Sequence, residues 1–155
     1  LSIMIIVESA SITDKGKKRK TNEDALILED ALGLYVVADG IGGHRAGDIA
    51  SRLVVETIGE YIKKAIENDD CDQTADFDET LSREANRLLN SIRMSNQVVH
   101  AASLKNSSCR GMGSTVSAIY FTESTLIAAN VGDSPIYLIR GGKIKLLSVP
   151  HSFIE

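Results

Sequence analysis

A carboxylate and several glycines follow one apolar run, Val36-Val37-Ala38-Asp39-Gly40-Ile41-Gly42-Gly43-His44. The apolar residues predict a buried strand that holds Asp39 at a rigid position. The glycines after it let the backbone approach a ligand where a Cβ would block it. A tight turn from a strand to a helix would use the same residues without any chemistry, so the run alone leaves both interpretations open.

Two further carboxylates, Glu23 and Asp24, precede this strand, and adjacent strands would bring them close to Asp39. Neighbouring residues in an extended segment point to opposite faces, so we expect one of the two to enter a shared site and the other to support it. Carboxylates with a backbone carbonyl, such as that of Gly40, suit Mg²⁺ or Mn²⁺ better than zinc or copper. These ions activate water and polarise phosphoryl oxygens, which favours phosphate esters as substrates.

A basic cluster, Lys15-Gly16-Lys17-Lys18-Arg19-Lys20, lies just before these carboxylates. Arg19 stands four residues before Glu23, and its guanidinium group can contact two phosphate oxygens at once, which a lysine cannot do. A solvated loop accounts for most of the other charges in the cluster.

The remaining sequence predicts the elements that position these residues. β-branched residues predict a first strand from Ile3 to Thr13, and apolar runs at 25–28 and 34–38 predict a hairpin. One amphipathic helix begins at Ala46. A second carries an apolar stripe from residue 81 to 102, with Asp76 or Asp78 as its cap. Four strands follow at Thr115 to Phe121, Thr125 to Val131, Ile136 to Ile139 and Lys143 to Leu147, the last two joined by a tight turn at Gly141-Gly142.

This order of elements predicts a single domain over residues 1–155 of the α+β class. Parallel strand-helix-strand alternation is absent, so we expect layered antiparallel sheets covered by helices. The 17 basic and 21 acidic residues give a net charge of −4, which argues against nucleic acid or an anionic membrane as a partner.

The two cysteines, Cys71 and Cys109, lack the spacing of a zinc site or a disulfide scaffold. They are interpreted as reduced thiols of a cytoplasmic protein. The first apolar run, residues 3–7, is too short to span a bilayer and lacks the features of a signal peptide.

Four motifs in this order resemble the bacterial form of the protein phosphatase 2C family, the metal-dependent serine/threonine protein phosphatases. They are Gly16-x-x-Arg19-x-x-Asn22-Glu23-Asp24, the run from Val36 to His44, Gly113-Ser114-Thr115 and Asn130-Val131-Gly132-Asp133-Ser134. The resemblance extends from about Ser9 to the end of the chain. It implies a β-sandwich of two antiparallel sheets with helix pairs outside, and hydrolysis of phosphoserine and phosphothreonine in proteins by metal-activated water.

The resemblance also implies roles for single residues. Arg19 would bind the substrate phosphate, Glu23 would ligate one ion, Asp39 would bridge two ions, and the Gly40 carbonyl would join the first. Asp24 would support the ligands without touching an ion. Asp133 is expected to be a turn and hydrogen-bonding residue, and Gly113-Ser114-Thr115 to be structural. His44, which directly follows the pair Gly42-Gly43, is a candidate general acid, and many relatives also place their histidine after this glycine pair.

The sequence departs from the family in its later part. The family carries further aspartates in two later motifs, and this chain ends before either. We therefore expect a truncated domain, roughly the first two-thirds, whose second ion keeps little beyond Asp39 and water. Pro135 stands where relatives usually carry arginine, Pro150 precedes a position where an aspartate is common, and Arg110-Gly111-Met112 lacks the acid that would hold a third ion. Unpaired sheet edges would favour self-association.

Two other functions stay open. The chain can be a non-catalytic, phosphatase-like interaction or regulatory module that keeps the fold and binds metal poorly. Asp39-Gly40-Ile41-Gly42 also fits the aspartate-x-glycine-x-glycine box of the histidine kinase and gyrase ATP-binding module. That module needs a preceding helix with a glutamate and an asparagine one turn apart, and the residues before Asp39 predict strands instead.

Overall fold

The computed structural model describes residues 6–41, 46–68, 77–123 and 125–151. Within these ranges the chain forms a hairpin, two long helices and a set of short strands. The strands are β1 (Asp24–Glu29), β2 (Leu34–Ile41), β3 (Gly113–Ser114), β4 (Val116–Phe121), β5 (Leu126–Val131), β6 (Tyr137–Arg140) and β7 (Lys143–Leu146), and the helices are α1 (Ala46–Glu67) and α2 (Arg83–Lys105).

The main sheet is antiparallel and has the order β1-β2-β4-β5, with the short β3 paired to the last residues of β2. β6 and β7 form a separate two-stranded antiparallel ribbon. Gly141 and Gly142 join them with φ angles of 57° and 71°, as a type I′ turn requires. The predicted hairpins and the α+β class are therefore confirmed.

The core lies between α1 and one face of the main sheet. On β2 the buried side chains alternate, and Leu34, Val36 and Ala38 are at most 1% exposed. Apolar residues four apart on α1 cover them: Ala50, Val54, Ile58 and Ile62. Burying each larger side chain contributes about 1.5–3 kcal/mol, so this face supplies much of the stability of the fold.

The helix α2 packs against α1 and begins later than the apolar stripe predicted. Its cap is Ser82, whose Oγ accepts a hydrogen bond from the Ala85 N–H at 3.1 Å. Asp78 does not cap the helix, because its carboxylate accepts hydrogen bonds from the N–H and hydroxyl of Thr80 instead. Asp76, the other predicted cap, lies outside the described residues.

The predicted first strand is wrong over the part that the structure describes. Residues 6–13 form neither helix nor strand, and residues 1–5 lie outside the described ranges. Ile6 and Ile12 are 80% and 92% exposed. β-branched composition alone favoured a strand here, but residues 6–13 pair with no strand in the part of the chain that the structure describes.

In the described ranges, neither α1 nor α2 combines the length and the apolar character that crossing a membrane requires. Of the two cysteines, Cys109 is buried with a free thiol, and Cys71 lies outside the described residues.

Candidate metal centre

The antiparallel register of β1 and β2 brings the predicted carboxylates together. Asp24, the first residue of β1, is paired with Asp39 near the end of β2. Glu23 comes directly before this pair, and its backbone carbonyl accepts a hydrogen bond from the Gly40 N–H at 3.1 Å. A main-chain bond therefore fixes one predicted ligand, Glu23, beside the segment that carries the others.

These carboxylates open into one cavity of about 180 Å³. Its walls are Asp14, Lys15, Arg19, Thr21, Asn22, Glu23, Asp24 and Asp39. Glu23 and Asp24 thus border the same cavity, although neighbouring extended residues were expected to face opposite ways. The strict alternation does not apply, because β1 begins at Asp24 and leaves Glu23 outside the strand.

Two glycines allow the start of α1 to approach these strands closely. A Cβ on Gly40 would lie 2.0 Å from the carbonyl oxygen of Gly47, in the first turn of α1. A Cβ on Gly47 would lie 2.7 Å from Oε2 of Glu23. The Glu23 carboxylate therefore sits beside the N-terminal end of α1, where the helix dipole favours negative charge. Gly47 was not among the predicted site residues, because a glycine in the first turn of a helix has no motif of its own.

The backbone of Asp39 is fixed by the residues of the Gly-Ser-Thr motif. Its N–H donates to Oγ1 of Thr115 at 3.0 Å, and its carbonyl accepts from the Thr115 N–H at 2.9 Å. The Ser114 hydroxyl donates to the same carbonyl at 3.2 Å. The motif was predicted to be structural, and these hydrogen bonds indicate that it positions the backbone of Asp39.

The motif from residue 130 to 134 supports Thr115 in turn. The hydroxyl groups of Thr115 and Ser134 share a hydrogen bond at 3.0 Å. The Ser134 carbonyl accepts from Ser117 at 2.6 Å and from the Asn130 side chain at 3.0 Å. Gly132 has a φ of 99°, and a Cβ there would lie 2.7 Å from Cγ2 of Thr115. A chain of contacts thus runs from this turn through Thr115 to Asp39.

Asp133 differs from its expected role. It lies in this turn, but its side chain forms no hydrogen bond with a residue that the structure describes. Its influence is electrostatic instead, because its negative charge contributes to raising the pKa of Asp39.

The pKa of Asp39 is raised above its usual value. Burial of its carboxyl group is the largest cause, although the residue as a whole is open to the cavity. The charge of Asp24 and a hydrogen bond with Asp24 act in the same direction, and Arg19 acts weakly against them. Like charges held together in this way indicate a site where a cation would relieve repulsion.

Arg19 lines the cavity from the loop before β1. Its Nη1 lies 4.0 Å from Oε2 of Glu23, and its side chain is 77% exposed. An ion pair this long and this open stabilises the fold little, which leaves the guanidinium group free to contact an anion.

The donor chemistry fits a divalent cation of the Mg²⁺ or Mn²⁺ type. All candidate ligands are oxygens, and ions of this type are usually held by one or two carboxylates with waters completing the shell. Within the described ranges, no three His, Cys, Asp or Glu side chains are grouped closely enough to hold a metal by themselves. Glu23, Asp39 and the Gly40 carbonyl are therefore the predicted ligands, and they would form only part of a coordination shell.

His44, Gly42 and Gly43 lie outside the described residues. The role of His44 as a general acid stays a prediction, as do the ligand roles of Glu23, Asp39 and Gly40 and the supporting role of Asp24.

The fold is thus of the α+β class, and it places the carboxylates of Asp24 and Asp39 side by side at one end of the β1-β2 hairpin. The sequence profile of the protein phosphatase 2C family matches residues 15–153. The chain belongs to this family.

Similar proteins agree with this assignment. A Streptococcus pyogenes protein described as protein phosphatase 2C-type is 37% identical over 147 residues, which cover 92% of this chain and 54% of the relative. The Mycobacterium tuberculosis serine/threonine phosphatase PstP/Ppp is 30% identical with a TM-score of 0.73, over 91% of this chain and 53% of that one. A catalytic domain of PstP in complex with two manganese ions is 28% identical with a TM-score of 0.72, over 91% and 54%.

The chain spans about half the length of the relatives it matches.

Proposed function

We propose that the protein takes part in metal-dependent hydrolysis of phosphoserine and phosphothreonine in cytoplasmic phosphoproteins. The observation that carries this proposal is the register that pairs Asp24 with Asp39 beside Glu23 and Arg19 at one cavity. The manganese ions in the PstP structure support an oxygen-liganded site for Mg²⁺ or Mn²⁺.

Each residue has a proposed task. Arg19 binds and orients the phosphate, and Glu23, Asp39 and the Gly40 carbonyl hold a divalent ion. Such an ion, when bound, lowers the pKa of water and offsets charge on the phosphoryl group. Asp24 stays beside Asp39 and keeps its carboxylate in place, and His44 is the proposed proton donor to the leaving oxygen. The mechanism needs no cysteine nucleophile, and the buried Cys109 is not used.

A non-catalytic phosphatase-like module is the second candidate. It is favoured by the absence, among the described residues, of three metal-binding side chains in one group.

A phosphopeptide assay with Mn²⁺ separates the two candidates. We expect hydrolysis that stops in chelator and falls at least about 100-fold in Asp39→Asn, since losing a metal ligand removes several kcal/mol of transition-state stabilisation. Asp30→Asn is the matched control, because Asp30 lies in the turn between β1 and β2, at the far end of the hairpin. Hydrolysis that survives in Asp39→Asn would rule out the proposed centre, and phosphopeptide binding without hydrolysis would favour the non-catalytic module.

We also propose that the chain self-associates through apolar residues that the described part leaves open. On the main sheet Val37, Ile41 and Val131 are 47% to 53% exposed, and apolar surface of this kind favours contact with a second copy. Sedimentation over a range of concentrations should show a dimer that Val37→Lys weakens. A strictly monomeric chain at all concentrations would contradict self-association.

A further inference from the structure

The lysines around Arg19 have no task in the proposed hydrolysis. Residues 15–20, called the basic loop below, carry five positive charges in six positions. All six residues are exposed, and Lys15 and Arg19 belong to the wall of the carboxylate cavity. The basic loop is therefore a rim of the candidate active site.

Hydrogen bonds hold this rim in place. The Asn22 side chain donates to the Thr13 hydroxyl at 2.8 Å, which closes the base of the loop. The carboxylate of Asp14 accepts from the Gly16 N–H at 2.7 Å, and Gly16 adopts a φ of 69° that suits glycine. Asn22 also accepts from the Asp24 N–H at 3.1 Å, so the loop is tied to the first residue of β1. A free basic tail would show none of these anchors.

The charges of the loop are not used to stabilise the fold. Arg19 has its long contact with Glu23, whereas Lys17, Lys18 and Lys20 form no ion pair with any residue in the described ranges. The chain as a whole has a net charge of −4, so the loop is a local region of opposite sign. Grouped charges of one sign beside a cleft attract oppositely charged groups of an incoming molecule.

We propose that the basic loop is a docking element for acidic residues that flank the phosphorylated serine or threonine of a substrate. This inference rests on the proposed phosphatase function. An extended peptide advances about 3.3 Å per residue, so positions two to four away from the phosphorylated residue lie about 7–13 Å from the cavity. A six-residue loop at the cavity wall covers that distance. The preferred substrate is thus a phosphopeptide with Asp, Glu or a second phosphorylated residue near the target.

Two pairs of lysines give a matched test. Lys17→Gln with Lys18→Gln removes two charges from the basic loop and spares Arg19 and Lys15. Lys63→Gln with Lys64→Gln removes two charges from exposed positions on α1. Lys63 follows Gly47 by 16 positions, which places it about 24 Å along the helix from the cavity end.

The kinetic experiment compares phosphoserine peptides whose flanking residues are glutamate or glutamine, in Mn²⁺ and low salt. We expect the chain and the α1 variant to prefer the glutamate peptide about 3- to 10-fold in kcat/KM, since exposed charge pairs contribute modestly. The basic-loop variant should lose this preference and hydrolyse p-nitrophenyl phosphate at an unchanged rate. Raising the salt to about 0.5 M should remove the preference as well.

Binding of fluorescent versions of the same peptides in chelator tests the loop when no turnover occurs. We expect the glutamate peptide to bind more tightly than the glutamine peptide, and only the basic-loop variant to lose this difference. This result supports docking even if the chain hydrolyses nothing, so failure of the docking inference and failure of the phosphatase function can be distinguished. Equal binding of the two peptides, or an equal loss in both lysine variants, would overturn the inference. Binding to phosphatidylserine vesicles is measured for the same variants. If the basic-loop variant loses vesicle binding and keeps its preference for the glutamate peptide, the inference is overturned, because the loop would then bind a membrane surface.

Discussion

The two faces of β2 differ in what holds them in place. Residues that face α1 are closed from water, and Leu34, Val36 and Ala38 are at most 1% exposed. The alternate residues are open, with Val37 and Ile41 at 49% and 53%, and Asp39 lies among them. One strand thus carries core residues on one face and the candidate ligand Asp39 on the other, because its side chains alternate between the faces.

The means of support differ as well. The closed face is held by apolar side chains that fill space. On the open face, the backbone of Asp39 is held by hydrogen bonds that it donates to Thr115 and accepts from Ser114 and Thr115. Substitutions on the closed face should therefore lower stability, and substitutions on the open face should lower activity with smaller effects on stability.

The largest expected effect is on the closed face. Leu34→Ala leaves a cavity under α1 and should lower the free energy of unfolding by about 3–4 kcal/mol. Val37→Ala, three positions along the same strand, should cost less than about 1 kcal/mol, because half of its side chain is already in water. Urea unfolding measures both variants. Equal losses would show that the open face is covered in solution.

Arg19→Lys tests the open face with its charge kept. A lysine cannot contact two phosphate oxygens in the same plane, so kcat/KM for a phosphopeptide should fall about 10- to 100-fold. Unfolding free energy should change by less than about 0.5 kcal/mol, because the contact with Glu23 is long and exposed. Arg52→Lys is the control, since Arg52 forms a similar exposed pair with Asp48 at 3.8 Å. A comparable loss of activity in Arg52→Lys would contradict the proposal that Arg19 binds the phosphate.

Thr115→Val tests whether hydrogen bonds position Asp39. The variant keeps the shape of the side chain and removes the hydroxyl that accepts from the Asp39 N–H. We expect a loss of about 1–2 kcal/mol in stability and about 10-fold in kcat at saturating metal. Thr115→Ser restores the hydroxyl and should recover kcat. Recovery of stability without recovery of kcat would limit the Thr115 hydroxyl to a structural role.

The smallest expected effect concerns Asp39 in metal-free protein. Its pKa is raised by burial and by Asp24, so the folded state binds a proton more tightly than the unfolded state. This contribution to stability is present below the unfolded pKa of about 3.9 and is lost as pH rises through the folded pKa. At neutral pH the charged Asp39 therefore destabilises the fold. Asp39→Asn should raise Tm in chelator by about 1–2 °C at pH 7 and leave it unchanged near pH 3. A lower Tm of Asp39→Asn than of the unchanged chain at pH 7 would contradict the repulsion between Asp39 and Asp24.

Local sequence patterns were sufficient to predict much of the fold. The alternation in β2, the apolar stripe of α1 and the two glycines between β6 and β7 each specify an element without distant contacts. The segment from residue 6 to 13 has strand-like composition, yet it is not paired. Pairing depends on a partner elsewhere in the chain, and composition does not record it.

The candidate site shows the same limit. The pairing of Asp24 with Asp39 was accessible from the predicted hairpin, because strands joined by a short turn are neighbours. The chain of hydrogen bonds from Ser134 through Thr115 to Asp39 spans 95 positions, from 39 to 134, and depends on the register of β3 and β4. The helix cap was missed for a related reason. Asp78 and Ser82 are both good caps, and the hydrogen bonds that Thr80 donates to Asp78 leave Ser82 as the cap.

The contact between Gly40 and Gly47 makes the connection between β2 and α1 replaceable in principle. The two glycines let the end of the strand lie directly against the start of the helix, because neither has a Cβ that would separate the backbones. Glu23 and Asp39 are placed by contacts with Gly40, Gly47 and Thr115, which all lie outside the segment that joins these elements. A family member could acquire a different connecting segment, with a different proton donor, while its metal ligands stay where they are.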